Sequence, residues 1–418
     1  MRYDSVIIGG GLAGLVCGLR LAKAGKRCVI ISSGQSALHF SSGSFDLLGA
    51  LTDGETVESP VEQVARLIEQ QPSHPYAKIG AEHFAQAAEQ AKQTLVEAGI
   101  GVSGDASKNH YRLTPMGTLK PTWLTLDGYV RSTSAEGLAW KSVTLMNAEG
   151  FLDFYTQFIV DELRKRGTTC RVSNFSLAAL DAIRNNPTEM RSANIARLFD
   201  KEENIAALAE TIAREAGECE QVLLPAFLGI NRQDVLAELT RRSGKECSVV
   251  ATLPPSVPGI RTQLALRRAF ERAGGVYMLG DTVTGYDEKE GAIERVYTAN
   301  HGNIGFEADE FVLATGSFFS RGLEATRDTV AEPIFGVDVY VEDNRGDWYR
   351  RDLFSHQPFE KFGVETDGEF RALRAGEPLK NLYVCGAGLA GFTPISEMCG
   401  AGVSMLSAVR VSDNILKR

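Results

Sequence analysis

Three glycines near the start of the chain carry the first chemical signal. They stand as Gly9-x-Gly11-x-x-Gly14, completed by Gly10, Leu12 and Ala13. The apolar, β-branched run at 3–8 before them predicts a buried strand. After them, residues 15–24 keep Leu15, Leu19 and Ala22 on one helical face, and Gly25 ends that helix. Residues 28–32 predict a second buried strand. In that context the glycines have separate roles. Gly9 allows a tight turn, Gly11 lets backbone approach a phosphate, and Gly14 lets helix pack on strand. The helix start offers unpaired N–H groups and a positive dipole end to an anion.

A second expected signal is missing. About 20 residues on, a dinucleotide site places an acid that accepts the adenosine ribose hydroxyl. Here the second strand runs out through Ser32 and Ser33, and the next acid is Asp46. Either a serine makes a weaker bond to ribose, or the ligand has no adenosine, which means FMN rather than FAD or NAD. The loop that follows contains Ser41, Ser42 and Gly43, suited to a phosphate or the edge of a flavin ring, or simply to solvent. His39 beside it is either a proton carrier or a structural histidine.

The C-terminal region repeats a tetrapeptide, Cys385-Gly386-Ala387-Gly388 and Cys399-Gly400-Ala401-Gly402. The second copy opens a helix predicted at 403–415. N–H groups from Gly400, Ala401, Gly402 and Val403 would face whatever Gly386 presents. A flavin gathers negative charge near N1 on reduction, and a helix N-terminus stabilises it. A strand predicted at 309–314 closes on Thr315-Gly316, a further candidate contact. Cys385 and Cys399 either lie near a redox centre or serve as small apolar filler.

These segments must be positioned by a large fold. The 418 residues suffice for two or three domains. Glycine numbers 42, against about 29 at average usage, and ten of them sit around the first and last helices. The 44 basic and 53 acidic residues leave a net charge of −9, which disfavours nucleic acid as the main partner. Seven scattered cysteines without C-x-x-C spacing argue against a disulfide framework, a zinc site or a self-built iron–sulfur cluster. No apolar run is long enough to span a membrane, and Asp4 with the glycines interrupts any signal-peptide core. Helices are also expected at 81–99, from an Asn186 cap onward, at 235–242 and at 260–273, with strands at 221–230 and 247–253. The outer parts form one split α/β unit, residues 1–110 plus 255–418, with 111–254 inserted as a substrate or cap domain.

Taken together, the chain resembles the B subunit family of anaerobic glycerol-3-phosphate dehydrogenase. The likeness rests on the fingerprint, on Ala37-Leu-His-Phe-Ser-Ser-Gly-Ser, Arg184-Asn-Asn with Asn194-Ile-Ala-Arg, Leu253-Pro-Pro-Ser-Val with Gly259-Ile-Arg, Gly316-Ser-Phe-Phe-Ser and Asn381-Leu-Tyr-Val-Cys-Gly, spread over nearly the full length. The resemblance implies a Rossmann-like FAD/NAD(P)-binding flavoprotein fold split by an insertion, with a second α+β domain. It further implies FMN as cofactor, with FAD the alternative, and pairing with an FAD-containing A subunit. The pair would oxidise glycerol 3-phosphate to dihydroxyacetone phosphate and pass electrons through a membrane-bound iron–sulfur subunit to quinone. The chain would then be cytoplasmic, held at the inner membrane through that anchor. Cys385 departs from general flavoproteins, which often carry an acid there.

Oxidising a secondary alcohol needs a base and a hydride acceptor, and a phosphate needs Arg or Lys. Arg112, Lys120, Arg191, Arg197, Arg261 and His301 are candidates, but no spacing singles one out and no catalytic residue is assigned. An independent FAD-dependent dehydrogenase of the fumarate-reductase-like group and a non-catalytic scaffold subunit remain alternatives.

Overall fold

The computed structural model describes residues 1–418. Its larger sheet grows from the first strand, Arg2–Ile8, which pairs in parallel with Cys28–Ser32 on one side and Phe306–Leu313 on the other. Val276–Leu279 extends the sheet beyond Cys28–Ser32, and Glu377–Val384 extends it beyond the end of Phe306–Leu313, both in parallel. The interior strands read as continuous apolar runs because side chains on both of their faces are buried. Val29, Ile30 and Ile31 are at most 2% exposed, each worth about 1.5–3 kcal/mol relative to full exposure. The antiparallel strands Val283–Lys289 and Ala292–Thr298 join at the start of Phe306–Leu313. With Phe306–Leu313 they form a meander, which the parallel strand carrying Tyr277 does not join.

Helix Leu12–Lys23 packs against the last helix, Gly400–Leu416, and against Val257–Arg272. Arg20 ties the first two together through Ser412 and an ion pair with Asp413 at 2.6 Å. The two ends of the chain therefore share one layer.

A second apolar core belongs to the middle of the chain, with members from Leu113 to Val250. Its main sheet runs Thr169–Phe175, Ser142–Ala148, Gln221–Pro225, Cys247–Val250. Every pairing in it is parallel, which differs from the expected α+β arrangement. The reason lies in the connections: helices such as Thr156–Lys165, Glu202–Glu215 and Val235–Ser243 make the crossovers a parallel sheet requires. The helix expected from Asn186 also differs. Asn186 accepts the Thr188 N–H and caps only a single 3₁₀ turn. Extended backbone at Arg191 interrupts it before the helix Ser192–Leu198 begins.

Candidate functional site

The fingerprint loop lies at the carboxyl ends of the parallel strands, the place where open α/β sheets bind ligands. Gly9 has φ +117°, and a Cβ there would lie 2.2 Å from the Ala314 carbonyl oxygen. The bend is thus closed to any side chain. A Cβ on Gly14 would lie 2.0 Å from the Gly9 oxygen, which is the helix-on-strand contact read from the sequence. Gly11 is different: the nearest atom to its Cβ position is in Ser36, 3.8 Å away. Its constraint does not come from the protein. Among the described residues, the N–H groups of Gly10, Gly11, Leu12, Ala13 and Gly14 have no protein acceptor. Five unpaired donors around a helix start form an anion nest.

The last helix brings a second free start. Among the described residues, the Gly400 and Ala401 N–H groups lack protein acceptors. Gly402 donates to the Asp46 carbonyl at 2.9 Å, and Val403 donates to Cys399 while its side chain is fully buried. Against expectation, these two have no donor left for a ligand. Gly386 packs so closely on the first helix that a Cβ would approach the Ala13 methyl at 2.8 Å. Gly388 lies over the Gly316 carbonyl, and Thr315 follows directly on the strand that contacts Gly9. Gly9 to Gly14, Thr315, Gly316 and Gly386 are therefore gathered into one cleft edge.

The serine loop joins from the side. Ser41 accepts from the Gly43 N–H, and the Ser42 and Ser44 hydroxyls pair at 3.2 Å. The strand Ser44–Phe45 then leads to Asp46, whose carbonyl holds Gly402. Ser32 is buried and donates to the Gly34 carbonyl at 3.0 Å, so its hydroxyl proton is already used, whereas Ser33 is exposed. Three residues unmarked in the sequence complete this edge. Gln263 and Tyr277 both donate to the Gly10 carbonyl at 3.3 Å, and Ser36 caps the 3₁₀ turn Ala37–Phe40 beside Gly11. Gln263 also meets His39, whose ring burial pushes towards the neutral form.

Under the start of the last helix sit three buried groups, His74, Glu397 and Cys399. His74 Nδ1 accepts the Tyr76 N–H at 3.0 Å, which places the ring proton on Nε2, facing Glu397 Oε2 at 3.4 Å. A nitrogen carrying a proton is no metal ligand, so the trio is a hydrogen-bonded clasp. Burial would raise the Glu397 carboxyl, but His74 and the Thr393 N–H outweigh it and hold it low. Burial pushes the Cys399 thiol well up, and Cys385 lies fully buried beside Cys17. Cys385 serves as small buried filler, and the Cys399 thiol, held protonated, donates to Glu397 Oε2 at 3.5 Å.

The free donors, the open approach at Gly11 and the small residues between two helix starts fit a flavin with its phosphates. Comparison with known proteins points the same way. The FAD binding domain family matches residues 4–403. The B subunit of anaerobic glycerol-3-phosphate dehydrogenase from Yersinia enterocolitica is 44% identical over 417 residues, covering 100% of this chain and 98% of its own. The corresponding protein of Pectobacterium atrosepticum is 43% identical over 418 residues, with 100% and 99% covered. The chain belongs to the B subunit family of anaerobic glycerol-3-phosphate dehydrogenase.

For a member of this family, the match to an FAD-binding domain identifies a flavin cofactor and gives no support to FMN. The substrate candidates of this family member are mostly committed elsewhere. Arg112 pairs with Asp46, Arg191 with Asp153 and His301 with Asp281. Arg197 bonds Asn194 at the surface, and Lys120 is exposed. Arg261 lines a cavity, together with Tyr129.

Proposed function

We propose that this chain is a flavin-carrying subunit of an anaerobic glycerol-3-phosphate dehydrogenase, and that its cofactor is FAD. The observation that carries this reading is the pair of unfilled helix starts, drawn together through Ala13 and Gly386. Gly10 to Gly14 would hold the diphosphate. Ser33 would reach the adenosine ribose in place of the usual acid. Gly400 and Ala401 would face the pyrimidine edge of the ring, with the Ser41 to Gly43 loop alongside. When bound, the flavin supplies a two-electron acceptor for alcohol oxidation. The residues of this chain orient it and stabilise the negative charge that reduction brings.

The relatives' designation as a B subunit supports the presence of further subunits, whose identities are part of this proposal. They are an FAD-containing A subunit and a membrane-bound iron–sulfur subunit that passes electrons to quinone. The complex would take glycerol 3-phosphate to dihydroxyacetone phosphate at the cytoplasmic face of the inner membrane. Among the described residues no helix is long and apolar enough to cross a membrane, so attachment would fall to the anchor subunit.

Extraction of the cofactor and measurement of its mass should give FAD. Anaerobic addition of glycerol 3-phosphate to the reconstituted complex should bleach the flavin of this chain. A flavin-free chain in a fully active complex would instead make it a scaffold.

A further inference from the structure

The cavity beside Arg261 has a volume of about 240 Å³ and lies between the inserted domain and helix Val257–Arg272. Drug-sized ligands occupy roughly 300–1,000 Å³, so this space suits a smaller molecule. Leu228 and Val249 give it apolar walls, and the exposed Asp127 and Gln233 stand at its open edge. Two polar groups inside are incompletely satisfied. The Arg261 guanidinium has five N–H donors, but it makes one bond, from Nη1 to the Leu228 carbonyl at 3.3 Å. Among the described residues no carboxylate forms an ion pair with it. The Tyr129 hydroxyl is buried and has no partner at all. A cation and a hydroxyl left this way cost stability, and an anionic ligand is what would satisfy both.

The cavity also adjoins the flavin loop. A Cβ on Gly43 would lie 2.4 Å from the Tyr129 ring, so the loop backbone rests directly on that side chain. The Ser256 N–H donates to the His39 carbonyl at 2.7 Å, fastening the start of the Arg261 helix to the same loop. Arg261, Tyr129 and the loop thus form one continuous wall.

We propose that this cavity is a binding site for a small phosphate monoester carrying hydroxyl groups. Arg261 takes the phosphate through its free fork of N–H donors. Tyr129 donates its O–H to a phosphate oxygen, and Asp127 and Gln233 accept the ligand hydroxyls. That the anion is a phosphate ester rather than a carboxylate rests on the function proposed above.

The test is calorimetric titration of the full-length, flavin-loaded chain at fixed ionic strength with glycerol 3-phosphate, inorganic phosphate, glycerate and glycerol. Glycerol 3-phosphate should bind at one site per chain. Phosphate should bind more weakly, and glycerate and glycerol weaker still by about tenfold or more. Arg261→Gln should weaken glycerol 3-phosphate by about thirtyfold, with Arg261→Lys in between. Tyr129→Phe should weaken it by about threefold to tenfold without lowering Tm, because the hydroxyl it removes has no partner in the free protein. Equal binding by wild type and Arg261→Gln, or no binding by wild type, overturns the site. Glycerate binding as tightly as glycerol 3-phosphate overturns the phosphate class. Flavin reduction in the reconstituted complex separates the two readings. Normal reduction with an unchanged KM in Arg261→Gln removes the site and leaves the proposed function standing. Arg261-dependent binding in a complex that glycerol 3-phosphate does not reduce leaves the site standing without that function.

Discussion

The two parallel sheets of this molecule solve the same problem in opposite ways. In the larger sheet the loop after the first strand turns its N–H groups into open space, and the protein supplies no acceptor. In the inserted sheet the loop after Gln221–Pro225 also gathers N–H groups, from Ile230, Asn231 and Arg232. There they converge on Asp200 Oδ1 at 2.9, 2.9 and 3.1 Å. Asn231 adds its amide to the other Asp200 oxygen. One nest is left for an external anion and the other is filled by the protein's own carboxylate. Shared architecture therefore does not locate a ligand site, but an unfilled nest does.

Four substitutions sharpen that contrast. Gly14→Val should be the most damaging, since its side chain would collide with the Gly9 carbonyl. A loss of about 3 kcal/mol or more is expected, read as failure to give a soluble, cooperatively melting protein. Gly11→Val should separate binding from folding: space exists for the side chain, so Tm stays near wild type while flavin affinity falls by about a hundredfold or more. A Gly11→Val protein that keeps stoichiometric flavin would dissolve the distinction between the nests.

Asp200→Asn should do the reverse, lowering stability by about 1 kcal/mol, a figure reduced by solvent around the loop, with flavin content unchanged. Burial alone would raise the Asp200 carboxyl, but the N–H groups of Arg232, Asn231 and Ile230 hold it below the usual range. A carboxyl lowered on folding contributes stability above its unfolded pKa of about 3.9 and loses it as pH falls through the folded value. Wild type and Asp200→Asn should therefore differ in denaturant midpoint at pH 6 and converge in acid. The smallest effect should come from Tyr277→Phe. Loss of its bond to the Gly10 carbonyl costs about 0.5 kcal/mol and about twofold in flavin affinity by fluorescence titration.

Local signals make the first nest legible in the sequence. Gly9, Gly11 and Gly14 are separated by two and three positions and flanked by apolar strands, so spacing alone implies the turn and the helix start. The same holds for Gly400 and Ala401 opening the last helix. The filled nest is not legible, because Asp200 and Ile230 are far apart in the chain and no residue type there is unusual. Gln263 and Tyr277 escape for the same reason: they meet Gly10 only after the sheet and helix are assembled. In the insert, Thr169–Phe175 is an edge strand with four of its seven residues exposed. Its polar positions hide the apolar run by which a buried parallel strand is recognised. FMN follows from the sequence only if the absent ribose acid means absent adenosine, and the exposed serine at 33 leaves that contact open.

The joining of the chain's two ends sets an order on its biosynthesis. The first strand emerges from the ribosome early, yet its neighbour Phe306–Leu313 and the helices Val257–Arg272 and Gly400–Leu416 that pack on Leu12–Lys23 are made only after the inserted sheet. The inserted sheet, complete by residue 250, has all its strands while the outer domain is still half-made. Domains fold as units during synthesis, so this one should be finished first and wait for the other. A chain that stops short of Gly400 would therefore carry the Gly10 to Gly14 nest without the second helix start that packs beside it.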